Sequence, residues 1–247
     1  LLLCEKTTEN KEDVNPIETK VGGTTFYFPS NKKWPVNDET GKMFTPVIQI
    51  NFEEYKEHFP FLTKGLLQIF IDFDQDNDDF VIKKQSNNID IRFIAEPSKA
   101  KARTITPDLD NVYIAGPYKL NNREFLSLPS AHSRHDLPEN HLFNKWSWNK
   151  VVNKETSERM WSLYNYTEGL YIEDEFATRI GGYAPWITKD QTQICPVCNS
   201  KMEFIAAIGT DDTNFKLDGD GYMMIFMCNS SKKCPGPSEP SIIIQTY

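Results

Sequence analysis

Four of the five cysteines in this 247-residue chain form two pairs that could hold a metal ion. Cys195 and Cys198 stand in "CPVC", and Cys228 and Cys234 stand in "CNSSKKC". The two-residue gap of the first pair lets both thiolates point at one ion from a tight turn. Cys228 ends a predicted strand that leaves a hairpin, so the second pair can return to the first. Four thiolates suit tetrahedral Zn²⁺, and we therefore expect these residues to bind a structural zinc ion.

Two other states of these cysteines stay open. The second pair is separated by five residues, which is wider than the usual gap of about two to four in zinc sites. Disulfide bonds would suit an exported protein, and reduced cysteines without a ligand are the other alternative. A redox role for "CPVC" has little support, because no strand-to-helix context follows it.

Three of the four histidines lie in "HSRHDLPENH", residues 132–141. His132, His135 and Asp136 are the candidates for the catalytic site of a metal-dependent hydrolase. Their spacing matches no helix-borne metal motif, and the segment has the composition of a loop. We favour a solvated loop, and neither a phosphate-binding glycine loop nor a nucleophile elbow occurs elsewhere in the sequence.

The acidic run "DFDQDNDD", residues 72–79, resembles the start of a calcium-binding loop. The EF-hand pattern requires Gly at the sixth position and Glu at the twelfth. A loop starting at Asp72 or at Asp74 meets neither requirement. We therefore interpret the run as the charged end of a hairpin, which keeps a sheet edge from pairing with neighbours.

The phrase "TKVGGTTFY" at residues 19–27 returns as "TRIGGYAPW" at residues 178–186. Further matches follow in the same order: Lys42-Met43 matches Lys201-Met202, and "GLLQIFI" matches "GYMMIFM". Matches in one order at a nearly constant offset predict an internal duplication. The glycines that mark the two copies are Gly22, Gly23, Gly65, Gly181, Gly182 and Gly221.

The repeated apolar runs predict β-strands. "FTPVIQI", "GLLQIFI", "EFIAAI" and "GYMMIFM" are short and rich in Ile, Phe, Val and Met, which is typical of strands buried on both faces. "NIDIRFIAE" and "NVYIAGPYKL" add two more strands. Helices are predicted only in "NFEEYKEHF", capped by Asn51, and in "ETSERMWSLYNY". Tyr27 and Trp186, near the glycine pairs, are expected in the core rather than in a binding groove.

The fold class that these elements predict is α+β and strand-dominated. The chain is expected to be internally duplicated, with two related, mostly antiparallel sheets that share one core. We divide it into a flexible polar segment over residues 1–18, a first repeat lobe over 19–150, and a second lobe over 151–247 that carries the four-cysteine site.

Composition and charge limit the classes of partner. A net charge of −8 argues against nucleic-acid binding, which needs a concentrated basic face. No run of eighteen apolar residues exists, so no transmembrane helix is expected. We expect a cytoplasmic protein. The alternative is a lipid anchor at Cys4, if "LLLC" is the end of a lipoprotein signal.

Several of these segments resemble the YwqG-like family, a bacterial family of unassigned function. The resemblance covers residues 19–247 through "TKVGGTTFYFPSNKKWP", "PVIQINFEEY", "KGLLQIFIDFD", "IGGYAPWI" and "GDGYMMIFMC". It implies a β-rich, duplicated α+β fold. The second half is also similar to the programmed cell death protein 2 group, through "IGGYAPWI", "CPVCNSKMEFIAAI" and "GYMMIFMC". That likeness implies a chaperone-like role in binding a ribosomal protein.

The chain departs from the family pattern at two positions. Ala207 and Thr188 stand where many members have glutamine, whereas Gln49 keeps the counterpart in the first copy. If these glutamines served a shared site, the second copy has altered it.

The duplication, the cysteines and the lack of a catalytic constellation predict a non-enzymatic module. We expect it to bind another protein or to act like a chaperone, with zinc stabilising the second lobe. One alternative is a hydrolase-type enzyme that uses His132, His135 and Asp136 in a cleft between the lobes. Another is an immunity or antitoxin-like protein, whose acidic surface would suit a basic partner.

Overall fold

The computed structural model describes residues 2–6, 15–23, 25–29, 32–72, 89–97, 101–104, 117–124, 176–210, 217, 219–229, 234 and 240–247. Twelve strands lie within these ranges: β1 Leu2–Lys6, β2 Lys20–Val21, β3 Thr25–Phe28, β4 Thr45–Asn51, β5 Leu66–Ile71, β6 Ile89–Ile94, β7 Lys101–Thr104, β8 Tyr118–Glu124, β9 Arg179–Ile180, β10 Glu203–Gly209, β11 Gly221–Met227 and β12 Ser241–Thr246. Every strand pair is antiparallel. The prediction of a strand-dominated, mostly antiparallel fold is therefore confirmed.

Ten of these strands form one continuous sheet in the order β12-β11-β10-β9-β1-β8-β2-β4-β5-β6, and β3 pairs with β7 in a second, two-stranded sheet. Both halves of the chain thus contribute to the same large sheet. Strand β1 lies at the junction, where it pairs with β8 on one side and with β9 on the other. The prediction of a flexible segment over residues 1–18 did not anticipate this strand.

The central strands of each half are apolar because both of their faces are covered. On β11, Met223, Ile225 and Met227 join one core cluster, whereas Tyr222 and Phe226 join another. The first of these clusters also contains side chains of β4, β5, β9 and β10, so the two halves share one core. A third cluster covers the opposite face of the first half and comprises Phe26, Phe28, Trp34, Phe44 and Phe70. Alternate residues of one strand therefore serve different layers.

The predicted helix in "NFEEYKEHF" is wrong. Residues 52–58 form consecutive turns, in which Glu54 N donates to Asn51 O at 3.1 Å and Tyr55 N donates to Phe52 O at 3.1 Å. Asn51 has no helix to cap, and its Oδ1 instead accepts a hydrogen bond from Glu53 N at 3.1 Å, which closes an Asx turn. Most of these turns are closed by a backbone hydrogen bond to the residue three positions earlier, whereas the bonds of an α-helix reach the fourth. The second predicted helix lies outside the described residues.

The two halves repeat the same local hydrogen bonding. Strand order β2-β4-β5-β6 in the first half parallels β9-β10-β11-β12 in the second. Gly22 N donates to Val47 O at 2.8 Å, and Gly181 N donates to Ile205 O at 2.7 Å. The β4–β5 register shifts between residues 46 and 48, and the β10–β11 register shifts between residues 204 and 206. This parallel is what an internal duplication would produce, and it supports that hypothesis.

Tyr27 and Trp186 are both buried, at 5% and 3% exposure, as the core interpretation predicts. The Trp186 ring stacks on Phe226 with centroids 5.5 Å apart. Neither ring is available to line an open groove.

Lys20 of β2 is fully buried. Its ammonium group donates hydrogen bonds to the carbonyl oxygens of Asn15 at 3.2 Å and Pro16 at 3.3 Å. Burial lowers the pKa of Lys20 to about 8, although the carboxylates of Glu18 and Glu54 oppose the shift. The folded state therefore releases this proton at a lower pH than the unfolded chain does.

We expect the free energy of unfolding to rise with pH between about 8 and 10.5 because of Lys20. In that window the unfolded chain still holds the proton at the ordinary pKa of 10.5, whereas the folded chain has lost it, so a rise in pH favours the folded state. The gain is at most about 3 kcal/mol. Urea unfolding of the wild type and of Lys20→Met across this range measures it. Equal pH dependence in both proteins would contradict the prediction.

Candidate metal centre

The first cysteine pair lies in a tight turn that we call the knuckle, residues 194–201. An antiparallel bridge joins its first and last residues. Inside it, Cys195 N donates to Ser200 O at 2.8 Å, and Asn199 N donates to Cys195 O at 2.9 Å. Asn199 has a φ of 56°, a left-handed conformation that asparagine tolerates better than most residues. The turn is therefore closed by backbone hydrogen bonds, which hold the two thiols near each other.

The second pair reaches the knuckle from β11. Cys228 follows Met227, the last residue of that strand, and Cys228 and Cys234 are 4% and 3% exposed. Both belong to the same buried cluster as Cys195, together with Trp186 and Phe226. The apolar face of β11 thus leads directly into the sulfur cluster.

The four sulfur atoms lie within 4.8 Å of one another. Cys195 Sγ is 3.5 Å from Cys234 Sγ, and Cys198 Sγ is 3.4 Å from Cys228 Sγ. A disulfide bond requires about 2.05 Å, so these are four free thiols and the disulfide alternative does not match. A tetrahedral ion with metal–sulfur bonds of about 2.3 Å requires sulfur atoms about 3.8 Å apart. The cluster could hold a metal ion after small shifts of the sulfur atoms.

The thiols differ in their environments. Burial and contacts with the other cysteines raise the pKa of the Cys234 thiol above its usual range. Hydrogen bonds from Ser200 lower the pKa of Cys198, which is the one partly exposed member of the set. Since thiolates are the metal-binding form, a metal ion would displace protons from this cluster as it binds.

Sequence reasoning named the four cysteines but missed two residues of the knuckle. Asn199 supplies the left-handed position, and Ser200 stabilises the Cys198 thiolate. The signal for Asn199 was in the sequence, because asparagine directly after "CPVC" can take the place that a glycine often fills in such turns.

His132, His135 and Asp136 lie outside the described residues. Asp72 is the one described member of the acidic run, and its carboxylate accepts a hydrogen bond from Asn37 Nδ2. Cys4 lies in β1, opposite Asn122 of β8.

Gln49 has a structural environment. It is fully buried, and its Nε2 donates to the carbonyl oxygens of Pro16 at 2.7 Å and Glu18 at 2.8 Å. Its Oε1 accepts from Tyr27 N at 3.2 Å and from Gln68 Nε2 at 2.8 Å. These contacts use every hydrogen of the amide and leave none for a ligand.

In the second half, Gln245 of β12 forms a similar set of bonds. Its Oε1 accepts from Ile187 N at 2.9 Å, and its Nε2 donates to Lys189 O at 2.8 Å. The segment that follows the second glycine pair is therefore fixed by a glutamine from another strand. Thr188, which stands where relatives are expected to have glutamine, donates its backbone N–H to the same Oε1 at 3.3 Å.

Comparison with known proteins gives a family but no activity. Within the part of the chain that the structure describes, no helix has the length and apolar character needed to cross a membrane. The chain has no match among curated proteins. The profile of a domain of unknown function, DUF1963, matches residues 19–232. This range includes both glycine pairs and three of the four clustered cysteines, and it agrees with the resemblance to a family of unassigned function. The chain therefore belongs to the DUF1963 family.

Proposed function

We propose that the four cysteines hold a structural Zn²⁺ ion and that the protein is a non-enzymatic, protein-binding module. The observation that carries the zinc assignment is the convergence of four sulfur atoms within 4.8 Å. Four thiolates complete a tetrahedral shell, so the ion has no open position for water or substrate. A closed, largely buried shell of this kind supports a structural role rather than a catalytic one.

The surface of the knuckle supports a binding role. Ile194 and Val197 are 50% and 64% exposed, although Cys195 between them is fully buried. Closure of the knuckle around the cysteines leaves these two apolar side chains pointing away from the core. An exposed apolar pair on a rigid turn is suited to contact another protein. The likeness of this half to the programmed cell death protein 2 group supports a chaperone-like role for the same region.

The test is capture of partners from native lysate with the wild type and with Ile194→Asp/Val197→Asp as baits. The variant should capture at least tenfold less of any protein that the wild type captures in equal molar amount. The complex would bury the two new carboxylates, which disfavours the contact. Both baits should keep one equivalent of zinc and the same unfolding temperature, since neither side chain is in the core.

Val36→Asp is the matched control, because Val36 is also exposed, at 46%, but lies in the first half. It should retain the partner. Equal capture by all three baits would contradict the assignment to the knuckle surface. Recovery of nothing above background would contradict the binding module and would favour an enzyme that uses His132, His135 and Asp136.

A further inference from the structure

The first half contains a turn with the same backbone hydrogen bonds as the knuckle. Asn37 N donates to Lys42 O at 2.8 Å, as Cys195 N donates to Ser200 O. Gly41 N donates to Asn37 O at 2.8 Å, as Asn199 N donates to Cys195 O. Each first-half residue lies 158 positions before its second-half counterpart.

Three further features repeat at the same separation of 158 residues. Val36 bridges Met43 as Ile194 bridges Lys201. Phe44 N donates to Pro35 O at 3.0 Å, and Met202 N donates to Gln193 O at 2.8 Å. Gly41 and Asn199 both have positive φ, at 70° and 56°. The two turns therefore share one backbone conformation.

Two residues of the first-half turn occupy the positions of the first cysteine pair. Asn37 corresponds to Cys195, and Thr40 corresponds to Cys198. Thr40 Oγ1 accepts a hydrogen bond from Lys42 N at 3.2 Å, in the place where the Cys198 thiol is hydrogen-bonded to Ser200.

The third position is given by the strands. Asp72 directly follows β5, and Cys228 directly follows β11. In both halves this residue comes seven positions after the glycine that precedes or begins the strand, Gly65 or Gly221. Asp72 therefore corresponds to Cys228.

We infer that the Asn37–Asp72 hydrogen bond is the first-half counterpart of the metal centre and takes the place of the ion. Asn37 is 7% exposed, and its Nδ2 donates to Asp72 Oδ2. Its Oδ1 accepts from Glu39 N at 2.9 Å and from Thr40 N at 3.1 Å. The amide thus ties the turn to the end of β5, as a metal ion would tie Cys195 to Cys228. This inference rests on the geometry of both turns and on the metal centre proposed for the second half.

The test is to build thiols into the first half. Asn37→Cys/Thr40→Cys/Asp72→Cys in the full chain should bind one more equivalent of Co²⁺ than the wild type, with added thiolate-to-cobalt absorption in the near ultraviolet. The serine version of the same triple variant is the control and should bind no more than the wild type. A folded cysteine variant that binds no extra Co²⁺ would overturn the inference.

A double-mutant cycle decides the question if the triple variant does not fold. Asn37→Ala and Asp72→Ala should each lower the unfolding temperature, and the double variant should lose little more than one single variant, because the two residues share one bond. Additive losses would show that they act separately and would also overturn the inference. Either result can be separated from the zinc proposal, which is measured by the metal content of the wild type.

Discussion

Cys198→Ser should lose the bound zinc and lower the free energy of unfolding by about 3–5 kcal/mol. Binding of a structural ion is coupled to folding, so removing one of four ligands removes much of that stabilisation. Cys198 is the preferred site because it is partly exposed, and a serine hydroxyl there remains near solvent. The loss of stability then measures the loss of the metal ion and not the burial of a polar group in the core.

Metal content and urea unfolding, measured on untagged protein made with zinc present, test this prediction. Cys4→Ser is the matched control and should keep one equivalent of zinc, because Cys4 lies on β1 opposite Asn122 and is not one of the four cysteines proposed to hold the ion. Stripping the wild type with a chelator should reproduce the stability of Cys198→Ser. A metal-free wild type with undiminished stability would refute the zinc assignment.

Gly221→Ala should destabilise the protein by about 2–3 kcal/mol. A Cβ atom at Gly221 would lie 2.1 Å from Gln245 O and 2.8 Å from Thr246 Cα. Both contacts are with the backbone of β12, which cannot move away without opening the pairing of β11 with β12. The added methyl group would therefore weaken the pairing of β12 with β11, the strand that Cys228 follows.

Gly41→Ala is the control for the general cost of replacing a glycine. Gly41 has a φ of 70°, but a Cβ there would meet no atom within 4 Å. We expect a cost of about 1 kcal/mol from the left-handed backbone alone. Thermal unfolding compares the two variants. If Gly221→Ala destabilises the protein no more than Gly41→Ala does, the backbone of β12 can move aside freely and the prediction is wrong.

The sequence predicted the strands because their apolar runs are short and uninterrupted. Residues of β4, β5, β10 and β11 are buried on both faces, which is why these strands lack the alternation that distinguishes a half-exposed strand. The cysteine cluster was predictable because two cysteines separated by two residues can both face one ion from a tight turn.

Other features depend on contacts that no local pattern reveals. The match of Lys42-Met43 with Lys201-Met202 is displaced by one residue, because Met43 bridges Val36 as Lys201 bridges Ile194, so that Met43 is the counterpart of Lys201. Gly209 also went unnoticed, although a Cβ there would lie 1.5 Å from Phe176 O. Such positions are defined by a second strand or turn that approaches from elsewhere in the chain.

The position of β1 has a consequence for the order in which the sheet is completed. Leu2 pairs with Ile180, so this contact closes a loop of 178 residues. During synthesis β1 leaves the ribosome long before its partner β9 does. Contacts between such distant segments carry a high entropic cost of closure and tend to slow folding. Strand β1 can therefore take its full place in the sheet only after β9 has been made.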